Sequence, residues 1–334
     1  MARANPAADA ESGTQIELGL NAAIVSVRDR QPQILVVRRG RLGSGEFDTM
    51  PFGPFAPRAQ RTLEIGLRAW VKQQTGLDLG YVEQLYTFGD RGRHAQPGDT
   101  HSHVLSIGYL ALTRGSDEEL LGSHWSPWYL YFPWEDWRQG KPAILTEEIE
   151  PRLRQWAEWS PLPDEPLRPL RRTERLKVCF GIGGGGFDEE KVLERYELLY
   201  EAGLIAEAAR DGRAAAGQWH NLPEFGRPMA FDHRRILATA MGRLRGKLKY
   251  RPVVFELMPP EFTLLELQQT VEAISGTLLH KQNFRRLVEQ GGLVEPTGNV
   301  STETGGRPAK LYRFRREVVL ERPAPGLRVK AGRA

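Results

Sequence analysis

The sequence predicts an α/β protein in two parts, a sandwich of helices around a β-sheet followed by a C-terminal winged helix. Three observations support this prediction. Strand-like and helical segments are interleaved over residues 17–159, as in layered α/β domains. Residues 263–314 read as helix, turn, helix and hairpin, which is the order of a winged helix. A length of 334 residues exceeds the roughly 250–300 residues that one hydrophobic core serves, so two domains are expected.

The strands and the helix of the first part follow from local patterns. The helix over residues 61–75 has apolar positions at helical spacing and ends at Gly76, a residue type favoured just after a helix. The turn-like residues 29–32 join the first two strands into a hairpin. Strands are expected at residues 17–28, 33–39, 46–51, 81–88 and 103–113.

The middle of the chain is aromatic and then helical. Residues 125–137 contain four Trp, two Tyr and one Phe, which favours core packing over an adenine-stacking wall or a dimer interface. The other predicted elements are a helix at 146–159 that begins at Thr146, a helix at 188–203, a loop of small residues at 208–217 and a basic connecting helix at 232–248.

A glycine-rich segment at residues 181–186 follows the strand-like apolar run 176–180 and precedes a helix. It formally satisfies the glycine pattern of dinucleotide-binding loops. Four consecutive glycines satisfy many patterns, however, and the surrounding chain lacks repeated strand–helix–strand units. A flexible turn ending at Asp188 is therefore the favoured interpretation.

Composition and charge narrow the class of protein. Residues 1–230 carry a net charge of −5, whereas residues 231–316 carry +7, which indicates that the C-terminal part faces a polyanion. No apolar run approaches the roughly 18 residues that span a bilayer. Residues 1–15 are expected to form a disordered leader rather than a signal peptide, because they contain no apolar segment. The single cysteine, Cys179, excludes a disulfide within the chain, so we expect a cytoplasmic protein.

The C-terminal winged helix carries the candidate nucleic-acid interface. Thr263 is expected to cap its first helix, and the second helix covers residues 280–290. In the second helix Phe284, Leu287 and Val288 are expected to face inward, which leaves Arg and Gln side chains on the open face. Arg and Lys suit guanine edges and phosphates, and Asn or Gln suits adenine. The residues predicted to contact DNA are Lys281, Gln282, Asn283, Arg285, Arg286, Arg307 and Lys310. The alternative is a solvated face of a small protein-binding domain.

The helix of the first part resembles the Nudix box. That box carries Arg-Glu-x-x-Glu-Glu followed by x-Gly and an apolar residue. In this frame Ala69 and Trp70 stand at the Arg and first Glu positions, and Gln73 and Gln74 stand at the paired carboxylates. Nudix chemistry needs carboxylates to hold Mg²⁺, and neutral amides bind hard cations far more weakly. We therefore predict a helix that keeps its packing role without a catalytic residue, a metal site or a cofactor; the alternative is an unrelated amphipathic helix.

Further segments extend the resemblance to the Nudix-related transcriptional regulators of NAD metabolism, in a divergent branch of the NrtR type. The resemblance covers roughly residues 17–115 and 228–316. The segments that carry it are 83–90, 103–113, 230–234, 255–259, 283–286 and 306–314. It implies a Nudix-like α/β/α sandwich followed by a winged helix-turn-helix domain. The implied divisions are a sensor domain at 16–230 with a divergent insertion at 161–217, a connecting helix at 231–249, a winged helix at 250–316 and a tail at 317–334.

The resemblance also implies a function. Such a regulator would bind double-stranded operator DNA of NAD-biosynthesis genes as a homodimer and would act as a repressor. Its Nudix-like domain would sense an adenine-containing metabolite such as ADP-ribose, NAD or ATP, with Arg91 and Arg93 contacting the phosphates. Two alternatives remain. One is an active pyrophosphohydrolase of nucleoside-diphosphate-linked substrates that uses Glu83, Asp90 or Asp99, and the other is an adaptor that binds protein.

Overall fold

The computed structural model describes residues 16–42, 45–90, 103–115, 122–162, 164–302 and 308–327. Four candidate functional residues lie outside these ranges: Arg91, Arg93, Asp99 and Arg307. Within the described ranges, no helix has both the length and the apolar character needed to cross a bilayer.

The structure contains nine strands and nine α-helices within the described residues. The strands are β1 (Ile16–Arg28), β2 (Gln31–Leu42), β3 (Gly45–Thr49), β4 (Phe52–Pro54), β5 (Tyr81–Phe88), β6 (His103–Leu112), β7 (Ser123–Pro127), β8 (Val294–Ser301) and β9 (Ala309–Phe314). The α-helices are α1 (Leu63–Thr75), α2 (Glu150–Glu158), α3 (Arg172–Phe180), α4 (Val192–Glu201), α5 (Ala206–Arg210), α6 (His233–Tyr250), α7 (Leu264–Ser275), α8 (Lys281–Gly291) and α9 (Val318–Glu321).

The large sheet is mixed, with the strand order β3-β2-β1-β6-β5. β1 pairs parallel with β6 along ten residues, whereas the β1–β2 and β5–β6 pairs are antiparallel. The N-terminal half of β1 pairs with β4 on the side where its C-terminal half pairs with β2. The short strand β4 therefore takes the place beside the first half of β1 that β2 takes beside the second half.

The period of two along β1 divides the core between the two faces of the sheet. Leu20, Ala22 and Ile24 face α1, where they pack with Leu67 and Val71. The intervening residues of β1 belong to the larger core cluster, which includes the apolar side of α6. The sheet is thus covered by α1 on one face and by α6 on the other, as a sandwich of helices around a sheet requires.

The aromatic segment 125–137 forms core, as predicted. Trp128, Tyr131, Phe132 and Trp134 are all fully buried in the larger core cluster. These four rings are inaccessible to an adenine or to a second copy of the chain, whereas Trp125 and Trp137 of the same segment are partly buried.

The apolar run 176–180 is helical, so the prediction of a strand there was wrong. It forms the last half of α3, and its buried residues Leu176, Cys179 and Phe180 recur at helical spacing. Gly181 then ends the helix with a φ of 72°, in the left-handed region. A dinucleotide-binding loop needs a strand before its glycines, so this segment does not have the required setting.

Three other boundaries differ from prediction. The helix expected at 146–159 begins with a π-helical turn (Leu145–Ile149), and Thr146 is inside that turn, where its hydroxyl donates to the Ala143 carbonyl. The helix expected from Asp188 begins four residues later, because residues 188–191 form a turn. The loop expected at 208–217 contains the end of α5 and a 3-10 turn, since alanines favour helical backbone.

Candidate nucleic-acid interface and sensor site

The winged helix begins at a reciprocal cap on α7. The Thr263 hydroxyl accepts a hydrogen bond from the Glu266 backbone N–H at 3.2 Å, and the Glu266 carboxylate accepts one from the Thr263 N–H at 2.6 Å. This arrangement satisfies two of the backbone N–H groups that a helix start leaves without partners. The preceding residue, Phe262, exchanges two backbone hydrogen bonds with Tyr312 of β9. α7 is thereby attached to the wing at its N-terminus.

Side chains of α7 fix the start of α8. The Glu272 carboxylate accepts a hydrogen bond from the Leu279 N–H at 2.9 Å. The Gln268 amide donates to the Leu279 carbonyl at 3.0 Å and to the Glu272 carboxylate at 2.9 Å. Leu279 lies two residues before α8, so these contacts set where the second helix begins.

The two faces of α8 differ as the sequence predicts. Phe284 and Val288 are buried and Leu287 is half-buried. The exposed residues are Lys281, Gln282, Asn283, Arg285, Arg286, Glu289 and Gln290. The Arg285 Nε atom lies 3.4 Å from the Glu289 Oε1 atom one turn later, and both side chains are more than half exposed. The open face therefore carries three cations, three amides and one carboxylate.

The wing is the β8–β9 hairpin. Lys310 is exposed on β9, opposite Val300 of β8. Phe314 at the end of β9 stacks on Phe255 with ring centroids 4.2 Å apart, which attaches the hairpin to the core. Lys310 is thus presented on a strand that is anchored at its other end.

Two of the four Nudix-box positions of α1 carry side chains that form structural contacts with β4. Gln74 forms a two-way bond with the backbone of Phe52: its amide donates to the carbonyl at 2.6 Å and its oxygen accepts from the N–H at 3.2 Å. The Trp70 indole donates to the Pro54 carbonyl at 2.9 Å, and its ring lies so close to Gly53 that a Cβ there would be 2.3 Å away. Ala69 and Gln73 are exposed. α1 therefore uses two of the four positions to hold β4.

The carboxylates of the hydrolase alternative lie far apart. Glu83 pairs with Lys247 and accepts a hydrogen bond from Tyr81 at 2.7 Å, whereas Asp90 pairs with Arg235. Arg235 and Lys247 are twelve residues apart on α6, about 18 Å at 1.5 Å per residue. Glu83 and Asp90 consequently cannot share one metal ion. Within the described part of the chain, no three His, Cys, Asp or Glu residues are grouped as metal ligands.

Lys247 keeps its charge in its ion pair with Glu83. Burial alone would lower the pKa of the Lys247 ammonium group, but its bonds to Glu83 and Tyr81 outweigh burial and raise that pKa. Glu83 is thereby committed to an ion pair between β5 and α6.

A cluster of aromatic and polar groups surrounds the N-terminus of α6. The buried His233 ring accepts a hydrogen bond from the Met50 N–H at its Nδ1 (3.0 Å), so its Nε2 carries the proton and donates to the Asn21 side chain (3.0 Å). Phe52 and Phe231 each lie edge-on to this ring, with centroids 5.0 and 5.4 Å away. Phe231 has a φ of 53°, a left-handed conformation that costs a bulky residue roughly 1–3 kcal/mol. Strained backbone of this kind is concentrated at binding sites.

A charged group borders the same end of α6. The Tyr131 hydroxyl donates to Asp48 at 2.6 Å, and Arg227 donates to the same carboxylate oxygen at 3.2 Å. Burial and the adjacent Asp48 raise the pKa of Tyr131 well above its usual value, so this hydroxyl keeps its proton. Asp90, the last described residue before the segment with Arg91 and Arg93, reaches Arg235 in the first turn of α6. We call Asn21, Phe52, Phe231 and His233 the sensor cluster, after the role that is proposed for them below.

Comparison with known proteins bears directly on the C-terminal part. Residues 254–314 match the protein family described as the NrtR DNA-binding winged helix domain. The match spans α7, α8 and the wing, the same elements from which the sequence predicted this domain.

A curated relative is similar to part of the chain. The chain is 48% identical over 86 residues to the ADPR responsive transcriptional repressor NtrR of Acinetobacter baylyi; the aligned part is 26% of this chain and 34% of that protein. The chain thus matches about a third of the length of this curated relative.

Two solved structures resemble the whole chain. Shewanella oneidensis NrtR complexed with a 27mer DNA has a TM-score of 0.52 at 20% identity and covers 91% of this chain and 95% of that one. A MutT/nudix family protein from Enterococcus faecalis has a TM-score of 0.51 at 15% identity, covering 90% and 87%. At this identity the likeness shows the fold. The predicted fold class, a Nudix-like α/β/α sandwich followed by a C-terminal winged helix-turn-helix domain, is confirmed.

The sequence did not single out the residues of the sensor cluster or the buried charges beside the winged helix. His233 and Arg234 are in the segment 230–234 that carried the resemblance, but nothing in the sequence indicated their contacts. Glu135, Arg195 and Arg245 are fully buried, and both arginines form an ion pair with Glu135. Arg245 had appeared as one more cation of a basic helix, since its partner is 110 residues away.

Proposed function

We propose that this chain is a DNA-binding transcriptional regulator that represses genes of NAD biosynthesis and responds to an adenine-containing metabolite. The observation that carries the proposal is the exposed face of α8 in an NrtR winged helix, where Arg, Lys, Asn and Gln side chains stand opposite the buried Phe284 and Val288. Such a helix fits the major groove, and such side chains match base edges and phosphates. A regulator of chromosomal genes acts in the cytoplasm.

ADP-ribose is the first effector to test. The curated relative is named as responsive to ADPR. In this chain the support is the sensor cluster, whose aromatic rings and strained Phe231 lie at the N-terminus of α6, together with Arg91 and Arg93, which the sequence places after β5. NAD and ATP share the adenine and the phosphates and are the next candidates.

A homodimer is the expected form on DNA. One winged helix covers too few base pairs to select a site in a genome, so two copies reading a two-fold operator are needed. Sedimentation of the purified protein with its DNA fragment tests this stoichiometry, which we expect to be two chains per site.

The experiment that tests the regulator is selection of bound fragments from sheared genomic DNA of the source organism. We expect a few fragments upstream of genes to be enriched over the input. Recovery in proportion to the input, with no fragment preferred, would contradict the proposal and favour the protein-binding adaptor.

We further propose that the Nudix-like domain does not hydrolyse its ligand. The support is that Trp70 and Gln74 hold β4, and that Glu83 and Asp90 pair with cations about 18 Å apart along α6. Protein incubated with excess Mg²⁺ is expected to leave ADP-ribose, NAD and dinucleoside polyphosphates intact. Turnover in the usual enzymatic range, about 1–10³ per second, would select the hydrolase instead.

A further inference from the structure

The C-terminal end of α7 is buried against residues that come from outside the winged helix. The Tyr129 hydroxyl donates to the Ala273 carbonyl at 2.7 Å, and the Trp137 backbone N–H donates to the Gly276 carbonyl at 2.7 Å. Arg245 of α6 donates to the Ile274 carbonyl at 2.9 Å. A helix end normally leaves such carbonyl groups to water. Here each of them receives a protein donor.

Every hydrogen-bond donor of the Arg245 side chain is used in this arrangement. Its five N–H groups are the full complement of an arginine, and five hydrogen bonds use them. Besides Ile274, its partners are the Glu135 carboxylate (2.6 Å), the Glu135 carbonyl (3.2 Å), the Glu189 carbonyl (3.0 Å) and the Tyr129 hydroxyl (3.4 Å). A side chain with every donor engaged has one position available to it.

Glu135 joins Arg245 to a second buried arginine. Arg195 of α4 donates to both oxygens of the Glu135 carboxylate, at 2.5 and 2.8 Å, and all three side chains are fully buried. Burial alone would raise the pKa of the Glu135 carboxyl, but the two guanidinium groups outweigh burial and hold that pKa below its usual range. The carboxylate is therefore charged at neutral pH. Two guanidinium groups face this one carboxylate, so one positive charge remains without an anionic partner. Backbone carbonyl groups, including that of Ile274 at the end of α7, accept hydrogen bonds from Arg245 and stabilise this charge.

The fit at Gly276 leaves no spare room. Gly276 has a φ of 73°, and a Cβ on it would lie 2.4 Å from the Glu135 carbonyl and 2.9 Å from both Tyr129 Oη and an Arg245 nitrogen. The helix end can approach this closely only with glycine.

The position of α7 determines the position of α8 through direct hydrogen bonds. Glu272, in the last turn of α7, and Gln268, one turn earlier, bond the backbone of Leu279, two residues before α8. Whatever holds the end of α7 therefore also holds the start of the helix proposed to read DNA.

We infer that Tyr129, Glu135, Trp137, Arg195 and Arg245, here called the α7 junction, position the DNA-reading helix on the sensor domain. This inference rests on the proposed function for what α8 reads, but not for the positioning itself. It also assigns a role to the part of the chain between residues 116 and 227, which supplies four of the five residues. They are positioning residues, since none of them is on the exposed face of α8.

The test measures the orientation of α8 without DNA or effector. Spin labels at Arg154→Cys of α2 and Gln290→Cys of α8, both exposed positions, are introduced in a Cys179→Ala background. Pulsed electron paramagnetic resonance then gives the distribution of distances between them. We expect a narrow distribution in the background protein and one at least twice as wide in Glu135→Gln, because the neutral amide leaves two buried cations with weaker partners.

Two Tyr→Phe variants make the comparison independent of any loss of folding. Tyr129→Phe removes only the hydroxyl that bonds α7, and it is expected to broaden the distribution. Tyr200→Phe is the matched control: its buried hydroxyl bonds Asp211 within the sensor domain at 3.1 Å, and the distribution should remain narrow. Narrow distributions in both Tyr129→Phe and a folded Glu135→Gln would overturn the inference.

Binding to a selected genomic fragment separates this inference from the proposed function. Tyr129→Phe is expected to weaken specific binding at least tenfold while the slope of log affinity against log salt stays unchanged, because no phosphate contact is lost. If the unmodified protein prefers no fragment but the distance distribution broadens as expected, the proposed function fails and the positioning role stands.

Discussion

Gln73 and Gln74 are neighbours on α1 in different surroundings. Gln73 is exposed, whereas Gln74 both donates to and accepts from the backbone of Phe52 in β4. Only an amide can do both, since an ionised carboxylate has no donor. The residue type at position 74 is thus explained by the attachment of β4.

This difference predicts the effect of restoring carboxylates one at a time. Gln74→Glu should lower the free energy of unfolding by about 1–3 kcal/mol, because the Phe52 carbonyl loses its donor and faces a negative charge. Gln73→Glu is the matched control and should change it by less than about 0.5 kcal/mol. Urea unfolding of the three proteins gives the comparison. Equal stability of the two variants would contradict the role given to Gln74.

Arg285 and Lys310 occupy different parts of the winged helix and should act differently on DNA. Arg285 lies on the exposed face of α8, where a base contact is worth roughly 1–3 kcal/mol of discrimination. Arg285→Ala should therefore weaken specific binding much more than non-specific binding. Lys310→Ala on the wing should weaken both about equally and lower the salt slope by about one unit.

Salt titrations with a selected fragment and with unrelated DNA measure both effects. Each variant must keep the melting profile of the unmodified protein, so that a change in affinity reports a lost contact. Wild-type affinity of Arg285→Ala for the selected fragment would show that α8 is not in the predicted register.

At the scale of elements, the two glycines that end α1 and α7 differ in their surroundings. Gly76 and Gly276 have similar φ values of 75° and 73°, but a Cβ at Gly76 would meet nothing within 4 Å. A Cβ at Gly276 would lie against Glu135, Arg245 and Tyr129. The two helix ends share one backbone conformation, and only one of them is packed.

A pair of alanine substitutions separates backbone strain from packing. Gly76→Ala should cost about 1–2 kcal/mol of unfolding free energy, the penalty of the left-handed conformation. Gly276→Ala should cost roughly 1–3 kcal/mol more, because the junction must open to admit the methyl group. Chemical denaturation measures both. The same cost at the two positions would mean that the end of α7 is not closely packed.

Sequence patterns predicted elements whose determinants are local. The turn between β1 and β2 consists of Asp29 and Arg30, both with positive φ, in the tight hairpin that the sequence indicated. The winged helix was predicted from its Thr263 cap, its turn at Gly276 and its hairpin, which are likewise local. The run 176–180 was assigned wrongly because a five-residue segment with four apolar residues fits a buried strand as well as a helix.

Contacts between distant residues could not be predicted in this way. Glu135 meets Arg195 across 60 residues and Arg245 across 110. An isolated Glu after a tryptophan and two Arg residues in helices each look like solvated surface charges, and only the fold brings them together. The sensor cluster is similar, since His233 bonds Asn21 across 212 residues.

At the scale of the whole molecule, α6 connects the two proposed activities. His233 in its first turn belongs to the sensor cluster, and Arg245 twelve residues later belongs to the α7 junction, about 18 Å along the helix. The same helix covers one face of the sheet. The proposed ligand site at its first turn and the end of α7, which holds the proposed DNA-reading helix, are therefore both in contact with α6.

The most direct test of the central claim is a DNA titration with and without ADP-ribose. Fluorescence anisotropy would follow binding to a fragment selected from the genome and to a scrambled fragment of the same length. We predict at least a 10³-fold preference for the selected fragment. ADP-ribose should change the affinity for that fragment by about 5–150-fold, the usual range of coupling between two sites, and leave the scrambled fragment unaffected. Equal affinity for the two fragments, with or without ADP-ribose, would contradict the account of this chain as a metabolite-responsive regulator.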